Sequence, residues 1–278
     1  MKRHTVAAVI PTKNVADIIR PTLESLRFCD EVIIVDMFST DGTRALCESY
    51  PNVRFLQRQD YIYSNFNYGV EQAKSEWIIR LDSDEVLSPE LQRSIQEVLE
   101  QEQPAHPVYD AFCHLYFFGK RLRHGFGNQW RNTLFRKGAA RYECRSEHEH
   151  LTVQGSVGRL KGHYDHFTNP TISRWMEKTN YYTDRDVERV ARPIPTKPFW
   201  VMYYVFRQWQ RLYLAPGWMM RDGYVGFAVA GLASFSVFMQ YCKVWERAER
   251  LAEAEKSAAP SHANETSARD SVAQSSAA

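Results

Sequence analysis

Three acidic residues directly follow one short apolar segment, and two of them could hold a metal ion. The segment Trp77–Leu81 is predicted to be a buried strand, and Asp82, Asp84 and Glu85 come directly after it. Asp82 and Asp84 are separated by one residue, so their carboxylates can face the same hard cation. Mg²⁺ or Mn²⁺ bound in this way keeps coordination positions for the oxygens of a diphosphate. A solvated acidic loop without a metal is the alternative.

The elements on either side predict where these acids lie. Ser88, Pro89 and Glu90 are the residue types expected at a helix cap, in a first turn and near a positive helix end. The acids therefore lie on a loop between a strand and a helix. In open α/β sheets, ligands bind beyond the carboxyl ends of the strands. The loop is predicted to lie at such an edge.

Upstream of the acids, predicted strands alternate with predicted helices. The strands are Thr5–Ile10, Glu31–Val35, Val53–Leu56 and Trp77–Leu81. This alternation predicts a parallel sheet with right-handed crossovers. Neither a G-x-G-x-x-G fingerprint nor a G-x-x-x-x-G-K-[ST] loop is present, which argues against a dinucleotide enzyme, a P-loop protein and a nucleotidyltransferase.

Three motifs occur in order, each after a predicted strand. They are V-I-P-T-K-N at 9–14, V-D-M-F-S-T-D-G-T at 35–43 and L-D-S-D-E at 81–85. Together they resemble the family 2 glycosyltransferases. The resemblance implies an α/β, GT-A-like fold, with a mostly parallel central sheet flanked by helices. It also implies a glycosyltransferase that uses a nucleotide sugar as donor.

The resemblance assigns roles to residues of the first two loops. Those expected to line a uridine-type pocket are Pro11, Thr12, Asn14 and Asp36. Met37 stands where many relatives have a second acid or a small residue, so Asp36 is the better candidate for the base contact. The acids Asp82 and Asp84 are expected to hold Mg²⁺ or Mn²⁺ and, through it, the donor.

A later segment supplies the candidate base. The pair His148-Glu149 resembles the H-E element of the subgroup that builds lipopolysaccharide core and similar bacterial glycans. Inverting sugar transfer needs a carboxylate to take the proton from the acceptor hydroxyl. We predict Glu149 as this base, Glu147 as the second candidate and His148 as a donor-binding residue. The alternative is that Glu149 pairs with Arg145 or a histidine on the surface.

Other basic residues of this half have two possible roles each. Arg131 is predicted to contact phosphate or the acceptor, with an ordinary surface arginine as the alternative. His163 and His166 could bind diphosphate or support the loop, and support is preferred for His166. The spacing of His148, His150, His163 and His166 fits no common zinc pattern, so zinc is not expected.

The C-terminal third has a different character. Residues 190–221 combine lysine and arginine with tryptophan and tyrosine and contain no acid, which suits an anionic membrane surface. Gly223–Cys242 has no charge, and its length is near the roughly 20 residues of a membrane span. We expect a helix that packs on the catalytic domain or lies in the membrane interface rather than a full span, with an ordinary core helix as the alternative. Arg221–Phe227 resembles the D-G-x-x-G-F element of the same subgroup.

Composition sets outer limits. A net charge of +2 gives no case for nucleic acid as a partner, and five scattered cysteines indicate reduced thiols in a cytoplasmic protein.

The sequence predicts four segments. They are 1–105, a nucleotide-sugar-binding half; 106–190, the acceptor and catalytic half of the same domain; 191–250, a helical, membrane-associating segment; and 251–278, a disordered tail.

The resulting prediction is an inverting glycosyltransferase. It would move a hexose from a UDP-linked sugar to a hydroxyl of a lipid-linked glycan such as lipopolysaccharide core. The protein would be cytoplasmic and peripherally associated with the inner face of the cytoplasmic membrane. One alternative changes the acceptor to polyprenyl phosphate. Another class is a non-catalytic sugar- or membrane-binding scaffold, against which the intact Asp82 and Asp84 argue.

Overall fold

The computed structural model describes residues 4–124, 127–144, 149–168, 171–189, 197–214 and 219–258. The strands are β1 Val6–Thr12, β2 Glu31–Asp36, β3 Val53–Gln57, β4 Trp77–Arg80, β5 Glu85–Leu87, β6 Val108–Phe117, β7 Lys120–Leu122, β8 Trp130–Arg136, β9 Ala140–Arg141, β10 Thr152–Val153 and β11 Val157–Thr168. The helices are α1 Arg20–Ser25, α2 Thr43–Glu48, α3 Ile62–Gln72, α4 Pro89–Glu100, α5 Ile172–Arg189, α6 Pro198–Tyr213 and α7 Gly223–Ala258, with a 3₁₀ turn at Met219–Asp222.

Within these residues, nine strands form one sheet. Its order is β3-β2-β1-β4-β8-β6-β11-β5, and β7 pairs with β6. The first four strands in this order are parallel, as the alternation of strands and helices predicts. β8 then runs antiparallel to both β4 and β6, so β4 and β6 point the same way. One of the three acids predicted to lie on the loop differs: Glu85 begins β5 and pairs with β11.

Apolar residues fill both faces of the sheet. All of β1 is buried, as expected for a central strand covered on both sides. Leu23 of α1 and Leu91 of α4 belong to the core on one face, and Phe66 of α3 belongs to the core on the other. α3 lies very close to β1, because a Cβ atom added at Gly69 would be 2.4 Å from Val9 Cγ1.

The helix cap predicted at Ser88 is confirmed and also joins α4 to β11. Its hydroxyl accepts hydrogen bonds from the backbone N–H groups of Leu91 and His163, both at 3.2 Å. The backbone N–H of Ser88 donates to the His163 carbonyl at 3.0 Å. The neighbouring Gly162 has a φ of +83° and no room for a Cβ atom beside α4. This junction fixes the strand that runs beside Asp84 and Glu85.

The chain divides into two compact units. The first contains Met1–Arg174 and Tyr213–Val229, and the second contains Trp175–Leu212 and Ala230–Ala278. In the first unit, Asp222 accepts hydrogen bonds from the backbone N–H groups of Arg123 and His124 at 2.9 and 2.8 Å. The boundaries of the four segments predicted from the sequence differ from those of these two units, and the four-segment division stays a prediction.

The glycines of the D-G-x-x-G-F element have a steric explanation. Gly223 has a φ of +62°, which disfavours residues with a Cβ atom. At Gly226 an added Cβ would lie 1.8 Å from the Met219 carbonyl oxygen. The element therefore forms the tight entry from the 3₁₀ turn into α7.

In the second unit, α7 makes polar contacts with α5. Lys243 Nζ lies 2.6 Å from Asp184 Oδ1 and donates to Asn180 Oδ1 at 2.7 Å. α7 continues to Ala258, so the prediction of a disordered tail was wrong for residues 251–258. Among the described residues, Met219–Ser257 is the one helical stretch long and apolar enough to cross a membrane, by length and composition alone.

Candidate active site

The acidic turn, residues Asp82–Glu85, lies between β4 and β5 at the carboxyl edge of the parallel strands. Arg80 is its organising side chain: its Nη2 is 2.5 Å from Asp82 Oδ2, and its Nη1 is 3.2 Å from Glu85 Oε2. The Asp82 N–H donates to Glu85 Oε2 at 2.9 Å, which closes the turn. Asp82 stays 35% exposed and Asp84 15% exposed. Both therefore remain partly open to a ligand.

Cations surround the buried acid of this turn. Glu85 has no exposed surface, and burial raises its pKa although the Arg80 charge opposes the rise. Arg131 Nη1 lies 3.6 Å from Glu85 Oε1, so Arg131 is not the ordinary surface arginine considered as an alternative. In this structure Arg131 supports the acidic turn, and its contact with phosphate or acceptor stays a prediction.

His166 lies against the same turn. Its Nε2 is 3.4 Å from Asp84 Oδ1 and its Nδ1 is 3.8 Å from Glu85 Oε1. Burial disfavours the charged imidazole, but the Asp84 and Glu85 carboxylates outweigh burial and raise the pKa of His166 to about 10. This geometry agrees with the supporting role preferred for His166.

The acidic turn fits a divalent metal. Asp82 and Asp84 offer carboxylate oxygens, which Mg²⁺ and Mn²⁺ prefer, and His166 supports Asp84 from behind rather than serving as a ligand. Arg80 and Arg131 hold the third carboxylate, Glu85, away from a ligand role. The assignment of the metal to Asp82 and Asp84 stays a prediction.

The loop pair, Thr12–Ala16 after β1 and Asp36–Thr43 after β2, forms a second part of the same edge. The Asn14 N–H donates to Ser39 Oγ at 2.7 Å, and the Thr40 N–H donates to Asn14 Oδ1 at 2.9 Å. Asn14 has a φ of +51°, which asparagine tolerates better than most residues. Two segments distant in sequence are thus held as one surface.

Asp36 is buried within the loop pair. It has 0% exposed surface, and it accepts hydrogen bonds from the Ser39 N–H at 2.8 Å and from Thr12 Oγ1 at 3.3 Å. Pro11 and Thr12 are buried as part of β1. These three residues shape the loop pair from beneath, and their direct contact with a nucleotide base stays a prediction.

Phe38 is a feature of the loop pair that sequence reasoning missed. Its ring is 53% exposed, and its φ of +55° is unusual for a large side chain. Strained backbone conformations concentrate at ligand-binding positions. The signal available in the sequence was an aromatic residue inside a turn of small and polar residues.

Two tyrosines connect the acidic turn to α3. Tyr142 Oη accepts a hydrogen bond from Arg80 Nε at 3.2 Å, and the Tyr142 ring stacks on Tyr63 with centroids 4.2 Å apart. The two side chains therefore form an aromatic wall beside Arg80. Neither tyrosine was singled out from the sequence.

The candidate base lies in the segment that follows Tyr142. Glu149 Oε2 accepts a hydrogen bond from the Cys144 N–H at 2.7 Å. Asn67 of α3 contacts Cys144 Sγ at 3.6 Å and donates to the Tyr142 carbonyl at 2.8 Å. Glu149 is thus bonded to Cys144, two residues along the chain from Tyr142, whose hydroxyl accepts from Arg80. Of the other residues predicted there, Glu147 and His148 lie outside the described residues, as does Arg145.

A family model described as "Glycosyl transferase family 2" matches residues 7–155. The "Lipopolysaccharide core biosynthesis glycosyltransferase LpsC" of Rhizobium meliloti (strain 1021) is 29% identical over 242 residues, covering 81% of this chain and 86% of the relative. The "Uncharacterized glycosyltransferase RP128" of Rickettsia prowazekii (strain Madrid E) is 22% identical over 250 residues, covering 83% and 84%.

Among solved structures, S. aureus TarS 1–349 superposes with a TM-score of 0.47 at 12% identity, covering 86% of this chain and 91% of that one. The family model covers more than half of the 278 residues and includes the loop pair and the acidic turn. The GT-A-like fold, the nucleotide-sugar donor and the glycosyltransferase activity expected from the three motifs are confirmed. The chain belongs to glycosyl transferase family 2.

Proposed function

We propose that this glycosyltransferase is inverting and moves a hexose from a UDP-linked sugar to a hydroxyl of a lipid-linked glycan such as lipopolysaccharide core. One observation carries the proposal: Arg80, which holds the acidic turn, donates to the Tyr142 hydroxyl, and Glu149 accepts from the N–H of Cys144, two residues farther along the chain. Donor and acceptor chemistry would thus meet at one aromatic wall.

The donor would lie along the sheet edge. The loop pair holds the nucleoside, with the exposed Phe38 ring stacking on the base. The pyrophosphate lies toward the acidic turn, where Asp82 and Asp84 would hold Mg²⁺ or Mn²⁺. Such an ion, when bound, neutralises negative charge on the leaving diphosphate.

Glu149 takes the proton from the acceptor hydroxyl. Its Oε2 is held by the Cys144 N–H, which fixes the position of the carboxylate. As the hydroxyl oxygen forms a bond to the anomeric carbon, its proton passes to Glu149. The bond between that carbon and the diphosphate oxygen breaks, and UDP leaves.

The acceptor would be presented at the inner face of the cytoplasmic membrane. The relative LpsC carries lipopolysaccharide core biosynthesis in its name. Large apolar side chains of α6 are exposed, with Phe199 at 74% and Phe206 at 54%. Aromatic rings beside Arg207 and Arg211 suit the headgroup region of an anionic membrane. We expect interfacial contact rather than a span, because Lys243 of α7 is paired with Asp184 and Asn180.

The test is turnover of a panel of UDP-sugars with a lipid-linked glycan acceptor, with and without EDTA. We expect one donor to be used, activity to be lost in EDTA and Mn²⁺ to restore it. Glu149→Gln should remove most activity, and Glu143→Gln, which changes a nearby exposed acid, should retain it. Turnover of no UDP-sugar would contradict the UDP-linked donor and assign the reaction to another nucleotide sugar.

The same variants separate the two acceptor classes. A phosphate nucleophile needs no strong base, so a polyprenyl phosphate acceptor predicts that Glu149→Gln retains much of its activity. A hydroxyl acceptor predicts the opposite.

A further inference from the structure

A second group of side chains of metal-ligating types lies on two neighbouring strands, one of which, β11, also passes the acidic turn. His114 is in β6, and His163 and Asp165 are two residues apart in β11. His114 is directly opposite Asp165 in the parallel pairing of the two strands. Residues two apart in a strand share a face, so the three side chains project together. The adjacent His166 projects to the other face, toward Asp84.

The distances among these side chains are too long for good hydrogen bonds. His114 Nδ1 lies 3.5 Å from Asp165 Oδ1, and His163 Nε2 lies 3.6 Å from the same oxygen. Good N–H···O bonds are about 2.7–3.2 Å long. Among the described residues, Asp165 Oδ1 is buried and has no hydrogen-bond partner.

Distances of this length are expected between atoms that bind the same metal ion. One ligand atom from each residue can be chosen so that all three lie within 4.8 Å of one another. Two ligand atoms, each about 2.1 Å from a tetrahedral Zn²⁺, are about 3.4 Å apart. The two imidazole rings are direct neighbours across β6 and β11, with centroids 3.9 Å apart and planes inclined by 32°.

The surroundings suit an open metal site. The side chains of His114, Asp165 and His163 are 14%, 26% and 34% exposed, so the group is held by the sheet yet reachable from solvent. The phenol of Tyr116 contacts Asp165, as a supporting partner of a ligating carboxylate would.

We propose that His114, His163 and Asp165 bind one transition-metal ion of the Zn²⁺ class. Imidazole nitrogen favours Zn²⁺ and Co²⁺ over Mg²⁺, so this site and the acidic turn would select different ions. Three protein ligands leave one tetrahedral position for water or an anionic oxygen. The ion would tie β6 to β11. The spacing of His163 and His166 fits no zinc pattern because His166 is not a ligand and the third ligand, His114, lies far away in sequence.

The test is a Co²⁺ titration of the full chain, stripped with EDTA and dialysed, followed by visible absorption and by displacement with Zn²⁺. The background variant Asp82→Asn/Asp84→Asn removes the acidic turn as a competing site. We expect this variant to bind one Co²⁺ with the spectrum of a tetrahedral site. His114→Ala and Asp165→Asn should each weaken binding by about 100-fold or more, since loss of even an outer-shell partner costs 10–100-fold. His150→Ala, which changes an exposed histidine outside the group, should bind like the background variant.

Two results would overturn the proposal. One is a background variant that binds neither Co²⁺ nor Zn²⁺, and the other is a folded His114→Ala variant that binds with unchanged affinity. Circular dichroism and the melting temperature report whether each variant is folded. If His114→Ala does not fold, the nearly isosteric Asp165→Asn and His163→Gln decide. Metal binding is read without sugar transfer, so this result is independent of the proposed function.

Discussion

The loop pair and the acidic turn lie at the same edge of the sheet, and both carry acids, but the acids have different partners. In the loop pair, Asp36 and Asp41 accept hydrogen bonds from backbone N–H groups and hydroxyls. In the acidic turn, Glu85 is paired with guanidinium groups, and Asp82 and Asp84 keep exposed surface. The loop pair uses its carboxylates to fix its shape, whereas the acidic turn leaves two of its three carboxylates partly exposed. A motif acid is therefore not by itself a ligand-binding acid.

The largest effect is expected at Arg80. Arg80→Met leaves Glu85 buried without its closest cation, and breaking a buried pair costs about 3–5 kcal/mol of unfolding free energy. Urea unfolding measures the change. Arg141→Met, whose side chain is 70% exposed, should change stability by less than about 0.5 kcal/mol. Addition of Glu85→Gln to Arg80→Met should recover part of the loss, and equal stability of Arg80→Met and wild type would contradict the pairing.

Asp36→Asn distinguishes a role of Asp36 in the shape of the loop pair from a direct contact of Asp36 with the nucleotide. The amide cannot accept all the hydrogen bonds that the carboxylate accepts, and we expect a loss of about 2 kcal/mol in thermal or urea unfolding. Asp17→Asn, at a 61% exposed carboxylate, is the control and should be nearly neutral. Unchanged stability together with lost nucleotide binding would instead show that Asp36 contacts the base.

Phe38→Gly tests the exposed ring of the loop pair. Glycine accepts the positive φ, so stability should change by less than about 1 kcal/mol. Loss of a stacking platform should raise KM for the nucleotide sugar about tenfold. Phe38→Tyr keeps the aromatic face and should preserve KM. Steady-state kinetics at saturating acceptor decide, and an unchanged KM in Phe38→Gly would remove the ring from the donor site.

The smallest effect concerns the thiol beside Glu149. Burial and then the Glu149 carboxylate raise the pKa of Cys144. In Glu149→Gln the second cause is removed, the pKa falls, and the thiolate fraction at pH 8 increases. Alkylation of Cys144 should become about two- to three-fold faster, and that of the exposed Cys242 should not change. An unchanged alkylation rate of Cys144 would show that the Glu149 carboxylate lies too far from the thiol to affect its pKa.

Local patterns predicted much of the first half of the chain. The apolar runs at β1, β2 and β4 and the cap at Ser88 were confirmed within one or two residues. The turn between β6 and β7 has positive φ at Phe118 and Gly119, and it joins two strands that are neighbours in the chain. Such features depend on neighbouring residues, and the sequence contains that information directly.

Long-range pairing was not predictable in the same way. The antiparallel placement of β8 between β4 and β6 brings Arg131 to Glu85, and no local pattern encodes that contact. The metal-ligand group likewise depends on β6 lying beside β11. The helical end of α7 was missed because alanine and glutamate are read equally well as a polar tail and as a helix.

Gly69 touches neither substrate in the proposed reaction, yet it sets how closely α3 packs on β1. Its missing side chain lets α3 press against Val9, and α3 carries Tyr63 and Asn67. One added methyl group would push α3 away from β1 and weaken the binding of donor and acceptor together. Alleles at this codon should therefore be heat-sensitive, failing by gradual loss of fit rather than by loss of a chemical group.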